Sequence, residues 1–181
     1  FLAEARKNPG KLKVSVSGLR TTPDLAIQHF NKAAGVRIAT VPFTGGGGEA
    51  LLAALGGRVD GVVGFGPTMK GQVDAGKLRV LATFNDKKYF LFPDAVATGQ
   101  TQWKSYVPTA YYVIAPKGLP APVLSKLIEL SKKVVQTEDF KAFVTANGYS
   151  LDPKAGDDMK KELDGYGKLF KEVNDYLEST K

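Results

Sequence analysis

Cysteine is absent from this chain of 181 residues, and there is a single histidine. Without thiols the chain can form no disulfide, no zinc–thiolate site and no cysteine nucleophile. The single histidine, His29, supplies neither a Ser-His-Asp triad nor a metal cluster, and we expect it to be an exposed or partly packed helix residue. No apolar run approaches the length of a membrane span. The sequence therefore offers no assembled catalytic set.

The charge of the chain also excludes one class of partner. The net charge of +7 is dispersed, and in the C-terminal part lysines alternate with acids, which is typical of solvated helix faces. No basic stripe with interleaved aromatic residues is present, so a nucleic-acid interface is not indicated. A hydrophobic content of 43% can fill the core of one ordinary domain or of two small lobes.

The most informative stretch is a predicted strand that runs through four glycines into a predicted helix. Residues 38–43 are apolar and β-branched, Gly45 to Gly48 follow, and residues 50–55 have the pattern of a buried helix face. Glycines allow a ligand to approach the backbone, and the first N–H groups of a helix attract anions. Taken alone, the turn is either an anion site or a flexible bend. It is not a P-loop, because the lysine and the following serine or threonine are missing.

Strands and helices alternate through the first hundred residues. Strands are predicted at 11–17, 38–43, 59–65 and 78–83, with helices between them, and this order implies a parallel sheet with right-handed crossovers. Ligands bind outside the carboxyl ends of such strands. Three loops rich in glycine and hydroxyl groups follow those ends, at 17–22, 43–46 and 65–68, which favours the anion site over the flexible bend.

The rest of the chain has a different organisation. Residues 85–106 are predicted as an irregular connection, 109–115 as a strand, and the remainder as three helices, the last from Pro153 to Tyr176. Acid pairs such as Asp157 and Asp158 stand at helix starts, where carboxylates favour the dipole, so they are weak catalytic candidates. We predict a lobe boundary between 106 and 109.

The order of short motifs resembles the periplasmic substrate-binding receptors of tripartite tricarboxylate transporters, also called Bug-type receptors. The matching segments cover nearly the whole chain in the family's order. They are Asn8–Leu12, Ser17-Gly18, Ala33–Val36, Val41-Pro-Phe-Thr-Gly45, Leu55–Asp60, Ala75–Ala82, Phe92-Pro-Asp94 and Ala115–Pro120.

The resemblance implies an α/β protein of the type II periplasmic-binding class, with a Venus-flytrap architecture. Residues 1–108 would form most of the second lobe and 109–181 the C-terminal, helical part of the first, while the family's N-terminal part is not among these residues. The implied ligand is a small organic carboxylate: a dicarboxylate, tricarboxylate, aromatic acid or acidic amino acid. The implied partners are the membrane subunits of the transporter, the implied location is the periplasm with a signal peptide removed or outside this chain, and no cofactor is implied.

Twelve residues are candidates for ligand contact. In this chain Arg20 and Asp24 stand where the family usually has a glycine and a histidine, and Phe43-Thr44 replaces its Tyr-Lys. Arg20 binds a carboxylate, points to solvent or pairs with Asp24, and a tyrosine at 111 or 112 either lines the cleft or packs in a core. Asp60 is predicted to be structural. The candidates are Ser17, Gly18, Arg20, Thr21, Thr22, Phe43, Thr44, Gly45, Gly46, Gly47, Phe65 and Tyr111.

The leading hypothesis is a solute receptor without catalytic activity. Two alternatives from other classes remain: a small α/β enzyme that acts on an anionic substrate, and a flytrap ligand-sensing domain of a regulator. Turnover of a bound ligand would favour the enzyme, and an upstream helix-turn-helix would favour the sensor.

Overall fold

The computed structural model describes residues 1–179 and divides into two compact units. Unit 1 comprises Phe1–Pro108 together with the residues from Lys168 onward, and unit 2 comprises Thr109–Gly167. The helices are α1 (Leu2–Lys7), α2 (Thr22–Ala34), α3 (Gly47–Leu55), α4 (Gly66–Asp74), α5 (Ala121–Val134), α6 (Glu138–Ala146) and α7 (Asp157–Ser179). The strands are β1 (Lys13–Val16), β2 (Ala39–Pro42), β3 (Gly61–Val62), β4 (Ala82–Thr83) and β5 (Val96–Ala97).

A parallel sheet of three strands lies at the centre of unit 1, in the order β2-β1-β3. Val14 in β1 pairs with Thr40 in β2 on one side and with Gly61 in β3 on the other. Parallel neighbours need a crossover, which α2 supplies between β1 and β2 and α3 supplies between β2 and β3. The predicted parallel α/β arrangement is confirmed for this part of the chain.

The apolar core of unit 1 lies against one face of the central strand. Val14 and Val16 project from alternate positions of β1 onto this face, where Ile27 and Phe30 of α2 cover them. Phe84 and Trp103 meet the Phe30 ring edge-on, at centroid distances of 6.0 and 5.5 Å. Trp103, from the irregular 85–106 region, is therefore partly buried against this core.

Small residues bring α3 close to the opposite face of the sheet. Ser15 is fully buried, and its hydroxyl donates to the carbonyl of Ala50 at 2.6 Å. Ala50 and Ala53 are also buried, so the helix presents no bulky side chain at this contact. The hydrogen bond satisfies the polar group that the close approach buries.

Asn31 joins the end of α2 to the start of β2. Its side chain is 3% exposed, donates to the carbonyl of Ile38 at 2.9 Å and accepts the Ile38 N–H at 3.0 Å. α2 ends at Gly35, whose φ of 60° lies in the left-handed region that glycine tolerates. Asn31 therefore completes both backbone hydrogen bonds of a buried residue that precedes the strand.

Two predicted strands are much shorter than the sequence pattern indicates. Of residues 59–65 only Gly61–Val62 form a ladder, and of residues 78–83 only Ala82–Thr83 do. β4 pairs with β5 in a separate parallel sheet of two strands, so the sheet around β1 does not include it. The pattern also overstated burial, since no apolar residue of either segment is buried and Phe65 and Leu81 are 38 and 47% exposed.

The strand predicted at residues 109–115 is wrong. This segment forms no ladder, and Tyr111, Val113 and Ile114 are 74, 87 and 85% exposed. Its β-branched and aromatic composition suits a pleated surface, but no neighbouring strand within residues 1–179 pairs with it. Residues 109–115 are therefore left without a strand partner among residues 1–179.

Unit 2 has little interior of its own. α5 contains no buried residue, and the buried residue of α6 is Val144. Seven large apolar residues of α5 and α6 are substantially exposed: Val123, Leu124, Leu127, Ile128, Leu130, Val134 and Phe143. α6 ends at Ala146, with Asn147 as its C-cap, and Gly148 follows with φ of 77°. In the part of the chain that the structure describes, no helix is both long and apolar enough to cross a membrane.

Candidate functional site

The carboxyl ends of the three central strands meet at one edge of the sheet. The N–H of Phe43 donates to the carbonyl of Val16 at 2.9 Å, and the N–H of Val63 donates to Ser15 at 2.9 Å. The loops that open α2, α3 and α4 therefore start from adjacent positions. A Cβ placed on Gly47 would lie 3.9 Å from the Thr68 side chain, so the first turns of α3 and α4 lie side by side. Eleven of the twelve predicted contact residues lie in these three loops.

The loop after β1 is tied together by hydroxyl groups. Thr21 occupies the N-cap position of α2, and its hydroxyl donates to the carbonyl of Gly18 at 2.8 Å rather than capping the helix. The Ser17 hydroxyl lies 3.5 Å from that of Thr21. Pro23 follows at the second helical position, because Thr22 begins the helix. These bonds leave the first N–H groups of α2 outside the internal network of the loop.

Arg20 reaches away from the loop to α7. Its guanidinium donates to the side-chain oxygen of Asn174 at 2.6 Å and forms an ion pair with Glu178. Its backbone N–H donates to Asp24 at 2.7 Å, while its φ of 57° places it in the left-handed region. Asp24 holds the backbone of Arg20, whereas the guanidinium is held by α7 rather than by Asp24. Contact of Arg20 with a ligand remains a prediction.

The glycine turn forms the start of α3. Gly46 is the N-cap, with φ of 84°, and Gly47 and Gly48 are the first two helical residues. The N–H of Gly45 donates to the carboxylate of Glu49 at 2.8 Å. A Cβ at Gly45 would lie only 2.6 Å from that carboxylate oxygen, so a larger residue at this position would displace the Glu49 side chain. Thr44 is exposed beside this turn.

The same arrangement occurs at α2 and α3. In both helices the third residue, Asp24 or Glu49, is an acid that accepts the N–H of the residue preceding the N-cap. Such a carboxylate offsets the positive end of its own helix. Asp24 is 2% exposed, and its second oxygen, Oδ1, has no hydrogen-bond partner among residues 1–179. Sequence reasoning missed this function, although an acid at the third position of a helix was the available signal.

α4 begins differently. Phe65 is its N-cap, Gly66 and Pro67 follow, and the first turn contains no acid. Its positive end is therefore not offset by a carboxylate of its own helix. Tyr89 covers the turn, since a Cβ at Gly66 would lie 2.7 Å from the Tyr89 hydroxyl. Tyr89 comes from the irregular segment, where no periodic pattern pointed to it.

Two further residues singled out in the sequence have contacts of their own. Tyr111 belongs to unit 2 and packs edge-on against Tyr149, at a centroid distance of 5.4 Å. Asp60 accepts the N–H of Lys13 at 2.8 Å, in agreement with its predicted structural role. Within residues 1–179, no group of three His, Asp or Glu residues is placed to hold a metal ion.

His29 is half-buried on α2, with Nδ1 3.0 Å from the hydroxyl of the buried Ser105. Burial lowers the pKa of His29, Glu172 opposes this change, and Lys32 adds to it. The ring therefore favours its neutral form in the folded chain. His29 is thus a partly packed helix residue, one of the two environments predicted for it.

Known proteins resemble this chain over most of its length. The model of the tripartite tricarboxylate transporter family receptor matches residues 1–166. A protein of Cupriavidus necator, named for its place in the gbd 5′ region, is 29% identical over 141 residues, which are 78% of this chain and 42% of that protein. The chain spans between 39 and 53% of the length of the curated relatives that it matches.

Solved structures show the same fold. An R. palustris protein solved with adipate has a TM-score of 0.79 at 22% identity, covering 95% of this chain and 57% of its own. MatC from Rhodopseudomonas palustris, solved with bound malate, has a TM-score of 0.72 at 18% identity, covering 94% and 59%. The fold is thus that of a substantial part of a type II periplasmic binding protein. The chain belongs to the tripartite tricarboxylate transporter receptor family.

Proposed function

We propose that this chain contributes one half of a carboxylate site in an extracytoplasmic solute receptor, which captures a small organic acid for a tripartite tricarboxylate-type transporter. The single observation that carries the proposal is the meeting of three helix N-termini at the carboxyl edge of the sheet, with the glycine turn at 44–48 among them. Exposed backbone N–H groups and hydroxyls at such an edge suit a carboxylate. The adipate and malate in the two R. palustris structures support the same class of ligand.

The contacts would come mainly from the second and third loops. The Thr44 hydroxyl and the N–H groups of Gly47 and Gly48 are available to a ligand. The N–H of Gly45 is not, because it already donates to Glu49. The first turn of α4, which follows its N-cap Phe65, contains no acid. The positive end of the α4 dipole therefore also favours an anion at this edge of the sheet. Binding by backbone dipoles and hydroxyls requires no proton transfer, in keeping with a receptor that has no catalytic activity.

We place residues 1–108 in the second lobe and 109–181 in the first, with the residues from Lys168 onward packed in unit 1. The exposed apolar residues of α5 and the unpaired segment at 109–115 support the view that further polypeptide completes the first lobe. In a receptor of this class, that polypeptide would contribute the opposite side of the carboxylate site. Residues such as Tyr111 would then contact ligand only in the completed lobe.

The test compares two variants in isothermal titration against adipate, malate, citrate and aspartate. Thr44→Val removes a hydroxyl that would bond the carboxylate, and we expect affinity to fall about tenfold, since a hydrogen bond to a charged group contributes about 1.5 kcal/mol or more. Asp60→Asn is the control, because an amide oxygen can still accept the Lys13 N–H.

Equal losses of carboxylate affinity in Thr44→Val and Asp60→Asn would show that the ligand does not bind at the carboxyl edge of the sheet. Stabilisation by amines or neutral sugars, with none by any carboxylate, would reject the ligand class. Recovery of a chemically altered ligand after incubation would replace the receptor with an enzyme.

A further inference from the structure

A second concave site lies at the opposite, amino-terminal edge of the sheet. This pocket of about 480 Å³ is entirely within unit 1. Its walls come from α1 and the turn after it, from the turn between α2 and β2, and from Tyr176 of α7. Pro9 and Arg37 each precede a strand, so this pocket is separated from the glycine turn by the length of the strands. Its volume is in the range of ligand sites.

Three basic side chains line the pocket: Arg6, Lys32 and Arg37. Lys32 forms an ion pair with Glu172 at 2.6 Å, which uses its charge. Neither Arg6 nor Arg37 has an acidic partner within 4.0 Å in residues 1–179. Two unpaired guanidinium groups therefore line the same concave surface.

Helix ends alone do not explain these charges. Arg6 lies in the last turn of α1 and Lys32 in the last turn of α2, where cations favour the helix dipole. Arg37 lies beyond Gly35, the C-cap of α2, and two residues before β2, so it belongs to no helix. Among residues 1–179, neither a helix dipole nor an acidic side chain offsets the charge of Arg37.

The backbone holds Arg37 in place. The N–H of Gly10 donates to the carbonyl of Arg37 at 2.7 Å. Gly10 has a φ of 77°, and a Cβ there would lie 3.5 Å from Arg37 Nε, so the side chain lies directly over the glycine backbone. An ordered stem reduces the entropy that the guanidinium loses on binding.

We infer that this pocket binds a carboxylate- or phosphate-bearing ligand whose apolar part lies against Tyr176 and Val36. Two guanidinium groups present forks of donors that match the oxygens of either anion. Val36 and Ala5 are buried and provide an apolar floor. Because Tyr176 belongs to α7, such a ligand contacts α1, the α2–β2 turn and α7 at once, and its binding stabilises their association.

Two-dimensional ¹H–¹⁵N NMR of the complete 181-residue chain, titrated separately with benzoate and with inorganic phosphate, tests this inference. We expect saturable shifts of the Gly10, Gly35 and Arg37 amides, distinct from any shifts at the glycine turn. Tighter binding of benzoate would identify a carboxylate with an apolar body, and tighter binding of phosphate would identify a phosphate group. Both outcomes support the anion site.

Arg37→Gln and Arg6→Gln should each weaken binding about tenfold, because each removes a charge-assisted hydrogen bond. Arg58→Gln is the matched control, since Arg58 is an exposed arginine of unit 1 outside the pocket and its substitution changes the net charge equally. If Arg37→Gln fails to fold, the exposed Arg6 still provides the test.

Three results would overturn the inference. They are the absence of saturable shifts with either probe, shifts confined to residues 45–48, and an equal loss of affinity in Arg58→Gln. Each would show that the two arginines bind no anion at this pocket.

Discussion

Glu49 should oppose the binding of a carboxylate at the glycine turn, and Glu49→Gln should strengthen it. The Glu49 carboxylate lies 2.8 Å from the Gly45 nitrogen, in the first turn of the helix that is proposed to receive the ligand. Gln has nearly the same shape, and its amide oxygen can accept the same N–H. The substitution therefore removes a negative charge and keeps the turn.

The expected gain in affinity is small because Glu49 is exposed, so water screens its repulsion of the ligand. Two unit charges about 4 Å apart in water repel each other by about 1 kcal/mol. Removal of that repulsion corresponds to about fivefold tighter binding, at 1.4 kcal/mol for each factor of ten. The loss in protein stability should stay below about 1 kcal/mol, because the exposed hydrogen bond is retained in neutral form.

Titration calorimetry of the wild-type chain and the variant with malate, at low and at moderate ionic strength, measures the effect. Glu4→Gln is the matched control, since Glu4 is also exposed, accepts a hydrogen bond from Asn8 at 2.6 Å and carries the same charge. The gain in Glu49→Gln should shrink as salt is added, because screening weakens the repulsion.

An equal gain in Glu4→Gln would mean that net charge alone governs binding. Unchanged or weaker binding in Glu49→Gln would refute the assignment of the ligand to the start of α3. In that case the start of α4 would be the next candidate at this edge of the sheet, because its first turn contains no acid.

Two further predictions concern α2. Asn31→Leu should lower the free energy of unfolding by about 3 kcal/mol, because it leaves the N–H and carbonyl of the buried Ile38 without partners. Urea denaturation measures this loss, and a change under about 1 kcal/mol would contradict it. Stability should also fall as pH drops below about 6.5, the unperturbed histidine pKa, because the lowered pKa of His29 means that the unfolded chain binds the proton more readily. His29→Gln should flatten this slope between pH 7 and about pH 5, and an unchanged slope would assign it to other groups.

The elements that local signals govern were predictable from sequence. Thr21 is the N-cap of α2, and the left-handed glycines at 35 and 148 follow α2 and α6, all three being residue types that local signals place at helix ends. Apolar alternation located β1 and β2. These features depend on residues within one or two turns of each other, which a sequence displays directly.

Features that depend on distant partners were not predictable. The segment at 109–115 has the composition of a strand, but a ladder needs a neighbour that this chain does not supply among its described residues. Similarly, β3 pairs with β1 over two residues, although β1 extends further at both ends, and β4 pairs with β5 over two residues. Composition reports the preference of a segment, whereas pairing decides its structure.

The candidate site divides in the same way. The parallel order of strands correctly placed the three loops at one edge, because topology follows from the alternation of elements. Engagement of Arg20 with Glu178, 158 residues away, was outside the reach of sequence patterns. Whether the twelve candidates contact a ligand stays a prediction.

The open position at Gly48 has a practical consequence. No atom lies within 4 Å of the site where a Cβ would stand, so a side chain fits without strain in the first turn of α3. Because the chain contains no cysteine, Gly48→Cys would create its sole thiol, and a fluorophore attached there would report from the centre of the proposed site. The chain is thus already suited to labelling at a single position. The emission of the attached fluorophore would then follow ligand binding in real time.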